Sequence, residues 1–245
     1  MTITVADAQT YANKADVESN IVRHLRLIAL AAKHRVQYLV FPELSLTGYE
    51  PELAESLALT IDDQRLQPLS EAASAHQMVI VAGAPLKAEE KPRLAALIFS
   101  PDGSIDHYDK MHLHAGEQRF FSAGEKTRLV AIDALQIGQA ICADTTHPEH
   151  AQQYAHQLAN GYFAGVLITA NGYDQDCALL AKYARDHRML VGMANHCAPS
   201  GGWAPAGRSA IWFAGKVLAE AGAENEALVV ASVHNDAWQA QVVTP

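Results

Sequence analysis

The sequence predicts an α/β protein in which helices cover more than one mixed β-sheet. Three observations carry that reading. Short apolar runs alternate along the chain with amphipathic stretches of helical period. Hairpin signals sit among the strands, so parallel and antiparallel pairs must be mixed. About a dozen strand candidates also exceed the usual strand count of one sheet.

In order, 3–8 reads as a strand. A helix over 17–33 then carries Val17, Ile21, Leu25, Ile28 and Ala32 at helical spacing, with Asp16 as N-cap. The continuous apolar run 36–41 is a strand covered on both faces. A helix over 66–76 and a strand over 78–83 follow. Strands at 94–100 and 104–108 flank Pro101-Asp102-Gly103, a hairpin turn. After a loop rich in His and aromatics come strands at 128–132 and 135–140. Next are a helix over 148–161 with Pro148 in its first turn, a strand at 165–169, a helix at 177–187 and a strand at 190–194. A hairpin about Ala214-Gly215 joins 208–213 to 216–220, and 228–233 is a last strand. With no repeat, low-complexity run or linker, one domain is expected over 1–245.

The bulk composition narrows the function. An apolar fraction of 49% and a charged fraction of 18% over 245 residues suit an ordinary globular protein with a sizeable core. A formal charge of −9 argues against nucleic acid or an anionic membrane as partner. Cys142, Cys177 and Cys197 are odd in number and lack CxxC spacing, so no disulfide framework is read and a reducing cytoplasm is expected. The first twenty residues lack a signal peptide's apolar stretch, and no run approaches membrane-span length.

Three segments place a reactive side chain just past an apolar strand, where functional loops sit in α/β folds. In FPELSLTGYEP, Glu43 is a carboxylate costly to desolvate unless it is salt-bridged, caps a helix or transfers protons. In YDKMHLHAGEQRFFSAGE, Lys110 stands among Met111, Leu113, Phe120 and Phe121, either as a surface lysine or as a partly buried ammonium suited to an oxyanion. His112 and His114 would share one face of a strand, with His107 and Glu117 as further ligand candidates, but the segment lacks a recognisable zinc pattern and no metal is assigned. In LQIGQAICADTTHPEHAQQYA, Cys142 is either a small buried hydrophobe or a nucleophile. The strand, turn and helix start would gather free N–H groups at one point, and the helix's positive end with a nearby lysine would favour thiolate. Cys177 and Cys197 take the bland reading.

Taken together, these segments resemble the nitrilase superfamily of carbon–nitrogen hydrolases. VADAQTYANKADVESN is similar to the family's opening strand and the Asn before its first helix. FPELSLTGYEP, KMHLHAGEQRFFSAG and CADTTHPEHA resemble the three motifs that carry its Glu, Lys and Cys. KYARDHRMLVGMANHCAPSG and GRSAIWFAGKVLAEAG resemble later segments, with Asn195 and Ser209 at matching places. The resemblance spans roughly 3–233. It implies an α-β-β-α sandwich that pairs into a four-layered α-β-β-α:α-β-β-α homodimer.

It also implies a mechanism. Glu43 would be the base for the Cys142 thiol, Lys110 and the backbone N–H of Ala143 would hold the oxyanion, and Glu117 would orient Lys110 and the substrate nitrogen. The reaction would hydrolyse a small amide through a cysteine thioester, releasing ammonia or an amine, with no metal or cofactor. Candidates to line the pocket are Tyr49, Met111, His114, Ala143, Thr146 and Asn171. Ala143 stands where many members carry a bulky residue, Thr146 and His147 replace an Arg-Phe pair, and Asp186 replaces a Glu. These departures leave the amide unnamed, and the missing Arg predicts poor turnover of amides carrying a carboxylate. The alternatives are nitrile or N-carbamoyl hydrolysis by the same triad, or a non-catalytic binding protein derived from the family.

Overall fold

The computed structural model describes residues 3–235 and 237–245. Its first half builds one sheet from β1 (Thr4–Gln9), β2 (Tyr38–Val40), β3 (Val79–Leu86), β4 (Arg93–Phe99) and β5 (Ile105–Asp109). Its second half builds another from β6 (Leu129–Ile132), β7 (Leu135–Ile141), β8 (Gly161–Val166), β9 (Leu190–Asn195), β10 (Ala210–Phe213) and β11 (Lys216–Glu220). The chain then returns to the first sheet with β12 (Ala227–His234) and β13 (Ala237–Val243), giving orders β13-β12-β1-β2-β3-β4-β5 and β11-β10-β9-β8-β7-β6. Each sheet has three parallel central strands, β1-β2-β3 and β7-β8-β9, with antiparallel flanks. Parallel strands need helical crossovers. Those are α1 (Val17–Lys33) and α3 (Gln67–His76) on the first sheet, α4 (Pro148–His156) and α5 (Ala170–Asp186) on the second, with a short α2 (Ala54–Leu57) before α3.

Side-chain alternation assembles the layers, because successive strand residues face opposite sides. Tyr38 and Val40 of β2 and Val79 and Val81 of β3 face the second sheet, whose Ile137, Phe163, Leu190 and Ala194 complete a core between the sheets. Leu39, Ile80 and Ala82 face the other way, onto Ile21, Leu27 and Ile28 of α1 and Leu69 of α3. Behind the second sheet, Tyr162, Ala164, Val191 and Met193 pack on Tyr154 of α4 and on Leu180 and Tyr183 of α5. The result is the expected α-β-β-α sandwich. Asp16 caps α1 by accepting the Ser19 N–H at 3.1 Å.

Several expected boundaries shift. The helix expected over 148–161 ends at His156, because Gly161–Val166 forms β8 between β7 and β9. Residues 167–169, expected as strand, run past its end. The helix expected from 177 begins at Ala170: Tyr173 is buried, and its hydroxyl donates to the Arg208 carbonyl at 2.6 Å, so tertiary packing orders a first turn whose Asn-Gly read as loop. Residues 110–116 are a loop, so His112 and His114 share no strand face. The last strand is β13, whose Ala- and Gln-containing sequence carries little apolar signal and whose side chains stand largely exposed at the sheet edge.

Candidate active site

Both sheets direct the carboxyl ends of central strands to one cleft, the place where α/β sheets hold ligands. Glu43 follows β2 in the first sheet, and Cys142 follows β7 in the second. Lys110 follows β5 at the far edge of the first sheet.

The Glu43 backbone is clamped between the sheets. A Cβ on Gly83 of β3 would lie 2.2 Å from the Leu44 nitrogen, and one on Gly165 of β8 would lie 2.5 Å from the Phe41 oxygen. Two glycines therefore let strands from opposite sheets close on the loop. His196 Nε2 donates to the Glu43 carbonyl at 2.7 Å, and the Ser45 hydroxyl, two residues on, hydrogen-bonds His24 Nε2 at 2.9 Å. Burial lowers both histidines to about 4, so both are neutral.

Within the cleft Lys110 is fully buried. Its Nζ donates to Glu43 Oε1 at 2.6 Å and to Glu117 Oε1 at 2.9 Å. Burial acts against this ammonium, but the Glu43 and Glu117 carboxylates outweigh it and hold it charged. Glu117 is itself fixed: Oε1 accepts the Tyr49 hydroxyl at 2.8 Å and Oε2 the His114 N–H at 2.7 Å. Glu43 is left with one buried carboxylate oxygen, Oε2, that has no hydrogen-bond partner among the described residues. Burial pushes Glu43 up to about 7 against the pull of Lys110. Burial and the neighbouring Glu43 likewise push the Cys142 thiol up. The thiol therefore rests protonated beside a carboxylate that titrates near neutrality.

Cys142 adopts φ +43°, a left-handed conformation uncommon for a side-chain-bearing residue. Such strain concentrates at active sites, where surrounding contacts hold it. Here it marks a sharp turn from β7 into the 3₁₀ turn Cys142–Thr146. The leading N–H groups of a helical turn have no intrahelical acceptor, which frees the Ala143 N–H for the cleft. Asp144 holds the turn. Its Oδ2 accepts the Ile141 N–H at 2.9 Å and the Tyr108 hydroxyl at 2.8 Å. Its Oδ1 accepts the Met111 and His112 N–H groups at 3.2 and 2.8 Å. One carboxylate therefore ties the cysteine turn to the two residues after Lys110. Although burial opposes it, hydrogen bonding from His112 leads the effects that keep Asp144 below its ordinary range.

The cavity above these groups, about 270 Å³, is lined among others by Glu43, Tyr49, His114, Glu117, Cys142, Ala143 and Thr146. Two expected lining residues are elsewhere. Met111 packs on the core between the sheets, its N–H drawn to Asp144, and Asn171 stands exposed on α5. Their places are taken by Leu167, Ile168, Thr169, Gly172, Asp176 and Trp203. Asn195 sets the strip after β8: its Oδ1 accepts the Ile168 N–H and its Nδ2 donates to the Ile168 carbonyl, both at 3.0 Å. Neither His196 nor Tyr108 carries a sequence signal, since both act across the fold.

Among the described residues, two groups have spacing that could suit a metal, His112–His147–Glu149 and His112–Asp144–His150. Asp144 and His150 are spent on hydrogen bonds, including His150 to the Tyr108 and Tyr162 hydroxyls at 2.8 Å. His112 stacks on His147 at 3.9 Å. His107, His114 and Glu117 belong to neither group.

Comparison with known proteins places the chain. The sequence profile of the carbon–nitrogen hydrolases matches residues 2–241. The chain belongs to the carbon–nitrogen hydrolase family. An (R)-stereoselective amidase from a Pseudomonas species is 30% identical over 225 residues, 88% of this chain and 79% of that protein. A 2-oxoglutaramate amidase from Bacillus subtilis is 28% identical over 221 residues, 87% of this chain and 84% of that protein. Among solved structures, a cysteine-to-alanine mutant of the amidase from Nesterenkonia sp. AN1, in complex with butyramide, superposes with a TM-score of 0.85 at 24% identity. That match covers 96% of this chain and 92% of the other, and carries the fold of a carbon–nitrogen hydrolase.

Proposed function

We propose that this carbon–nitrogen hydrolase is an amidase that cleaves a small amide through a thioester on Cys142, the whole of 1–245 acting as one catalytic domain. The observation that carries the reading is the single unpartnered oxygen of Glu43, buried on the Lys110 ammonium and beside the Cys142 thiol. A carboxylate raised to about 7 is matched to proton transfer near neutrality. Glu43 takes the thiol proton as sulfur bonds to the amide carbon, and the carbonyl π electrons move to oxygen. Lys110 and the Ala143 N–H hold that oxyanion. The C–N bond then breaks and the amine leaves with the proton from Glu43. Water, deprotonated by Glu43, attacks the thioester and releases the carboxylic acid and the thiol. Glu117 positions Lys110 and accepts a hydrogen bond from the leaving nitrogen. Tyr49, His114 and Thr146 shape the pocket, and each reacting proton and electron pair is handled by the chain's own groups.

We also place the protein in a reducing cytoplasm, as its three free cysteines support. Pairing through the outer helices fits Leu158, 82% exposed beyond α4. No described helix is long and apolar enough to cross a membrane. The test is ammonia release over a panel of small aliphatic amides, ω-amide acids, N-carbamoyl compounds and nitriles, with mass spectrometry of the enzyme. The reading expects amide turnover and an acyl group trapped on Cys142. Turnover of nitriles alone, or no adduct on Cys142, would overturn it.

A further inference from the structure

The pocket lining carries a charge that the chemistry does not use. Asp176 lies on α5 one turn after Gly172, and both residues line the cavity. It makes no hydrogen bond or ion pair among the described residues. Other half-buried carboxylates are partnered: Glu50 by Lys14, Glu220 by Arg208 and Glu226 by Arg23 and Arg26. Burial raises the Asp176 carboxyl, and no cation offsets that cost. Gly172 keeps the carboxylate open, since the nearest atom to a Cβ placed there would be Asp176 Oδ2 at 3.4 Å. Trp203, which also lines the cavity, is 48% exposed, with its ring 6.5 Å from that of His114. No lysine or arginine is in the lining: Lys110 is fully buried behind it and shared by two carboxylates.

We propose that Asp176 forms an ammonium subsite, so that the preferred substrate is a small amide whose acyl chain ends in a cationic amine. An ammonium there would meet an open carboxylate and form a charge-assisted hydrogen bond with it. The first turn of α5 also faces the cavity through Thr169 and Gly172, and a helix N-terminus by itself favours an anion. An anion at that wall would stand beside the Asp176 carboxylate with no cation in the lining to offset the repulsion, so the cation is favoured. This inference rests on the amidase reading above.

The experiment compares kcat/KM for 4-aminobutanamide, pentanamide and succinamic acid, which end in an ammonium, a methyl and a carboxylate. The wild type should prefer the ammonium amide over pentanamide by roughly 10–100-fold, the range of a charge-assisted hydrogen bond, with succinamic acid poorest. Asp176→Asn should collapse that ratio mainly through KM, and Asp176→Glu should restore part of it. A ratio near one in the wild type, an unchanged ratio in folded Asp176→Asn, or a preference for succinamic acid would overturn the subsite. If no amide is turned over, the amidase reading fails, and the subsite is read on the Cys142→Ala protein by calorimetry. At least tenfold tighter binding of 4-aminobutanamide than of pentanamide, lost on adding Asp176→Asn, then supports it, and equal binding overturns it.

Discussion

Two polar clusters lie on either side of the turn that carries Cys142, and they differ in how completely their charges are satisfied. Around Asp144, the two oxygens accept four N–H or O–H donors plus the His112 ring, and the carboxyl sits below its ordinary range. Around Glu43, one oxygen is held by Lys110, the other has no partner, and the carboxyl rises to about 7. Both carboxylates are buried. The difference teaches that burial alone does not mark a reactive group. A carboxylate with every acceptor filled fixes geometry, whereas one with a free acceptor beside a thiol can exchange a proton.

The largest expected effects fall on the unsatisfied cluster. Cys142→Ala should abolish turnover while circular dichroism and melting stay close to wild type. Glu43→Gln keeps the shape but removes the base, with an expected loss of about 10²–10⁴-fold or more in kcat. Lys110→Ala should cost roughly 10²–10³-fold as an oxyanion donor is lost. If Cys177→Ala proves the inactive variant instead, Cys142 is not the nucleophile.

The satisfied cluster should answer in stability first. Tyr108→Phe removes one donor from Asp144 and leaves His150 Nε2 without its partner, at a cost of about 1–3 kcal/mol in unfolding free energy. Asp144→Asn should cost more, because an amide cannot accept from every donor now facing the carboxylate. Both variants should lower Tm, with a smaller fall in kcat than Glu43→Gln. Abolished turnover in Tyr108→Phe at an unchanged Tm would erase the distinction.

Much of this was legible before any coordinates. Glu43 and Cys142 each follow an apolar strand of a parallel trio, and such ends meet in one cleft. Lys110 follows the antiparallel edge strand β5, and Glu117 was marked by the family resemblance alone. The pocket's outer wall was not legible. Met111 is held back by an N–H bond to Asp144, 33 residues away in sequence, and Asn171 turns outward on a helix that begins seven residues earlier than its apolar pattern suggests. Asp176, Trp203 and His196 act only through the meeting of distant segments. The strand 161–166 was hidden by its two glycines, one of which, Gly165, is the close approach that Glu43 needs.

A smaller effect separates chemistry from scaffold by pH. Activity should rise with pH along a limb near 7, as Glu43 loses its proton. Stability should follow His24 and His196, which fold from an ordinary 6.5 down to about 4. Groups depressed in the fold contribute stability above 6.5 that is lost as pH falls toward 4, on the order of 3 kcal/mol for each histidine. Urea melts at pH 7.5 and 4.5 check this. Equal stability at both would show that the histidines do not hold the Glu43 loop as neutral groups.

The most direct measurement is the rate of iodoacetamide capture at each cysteine against pH, read by mass spectrometry in wild type and Glu43→Gln. Cys177 and Cys197 are internal controls: burial pushes all three thiols up, the two controls to about 11, but neither control faces Glu43 and Lys110. With Glu43 as the base for the thiol, Cys142 should be labelled much faster than either control, with a rise through about pH 7 that disappears in Glu43→Gln. Equal labelling of the three thiols, or a Cys142 profile unchanged by Glu43→Gln, would contradict that role.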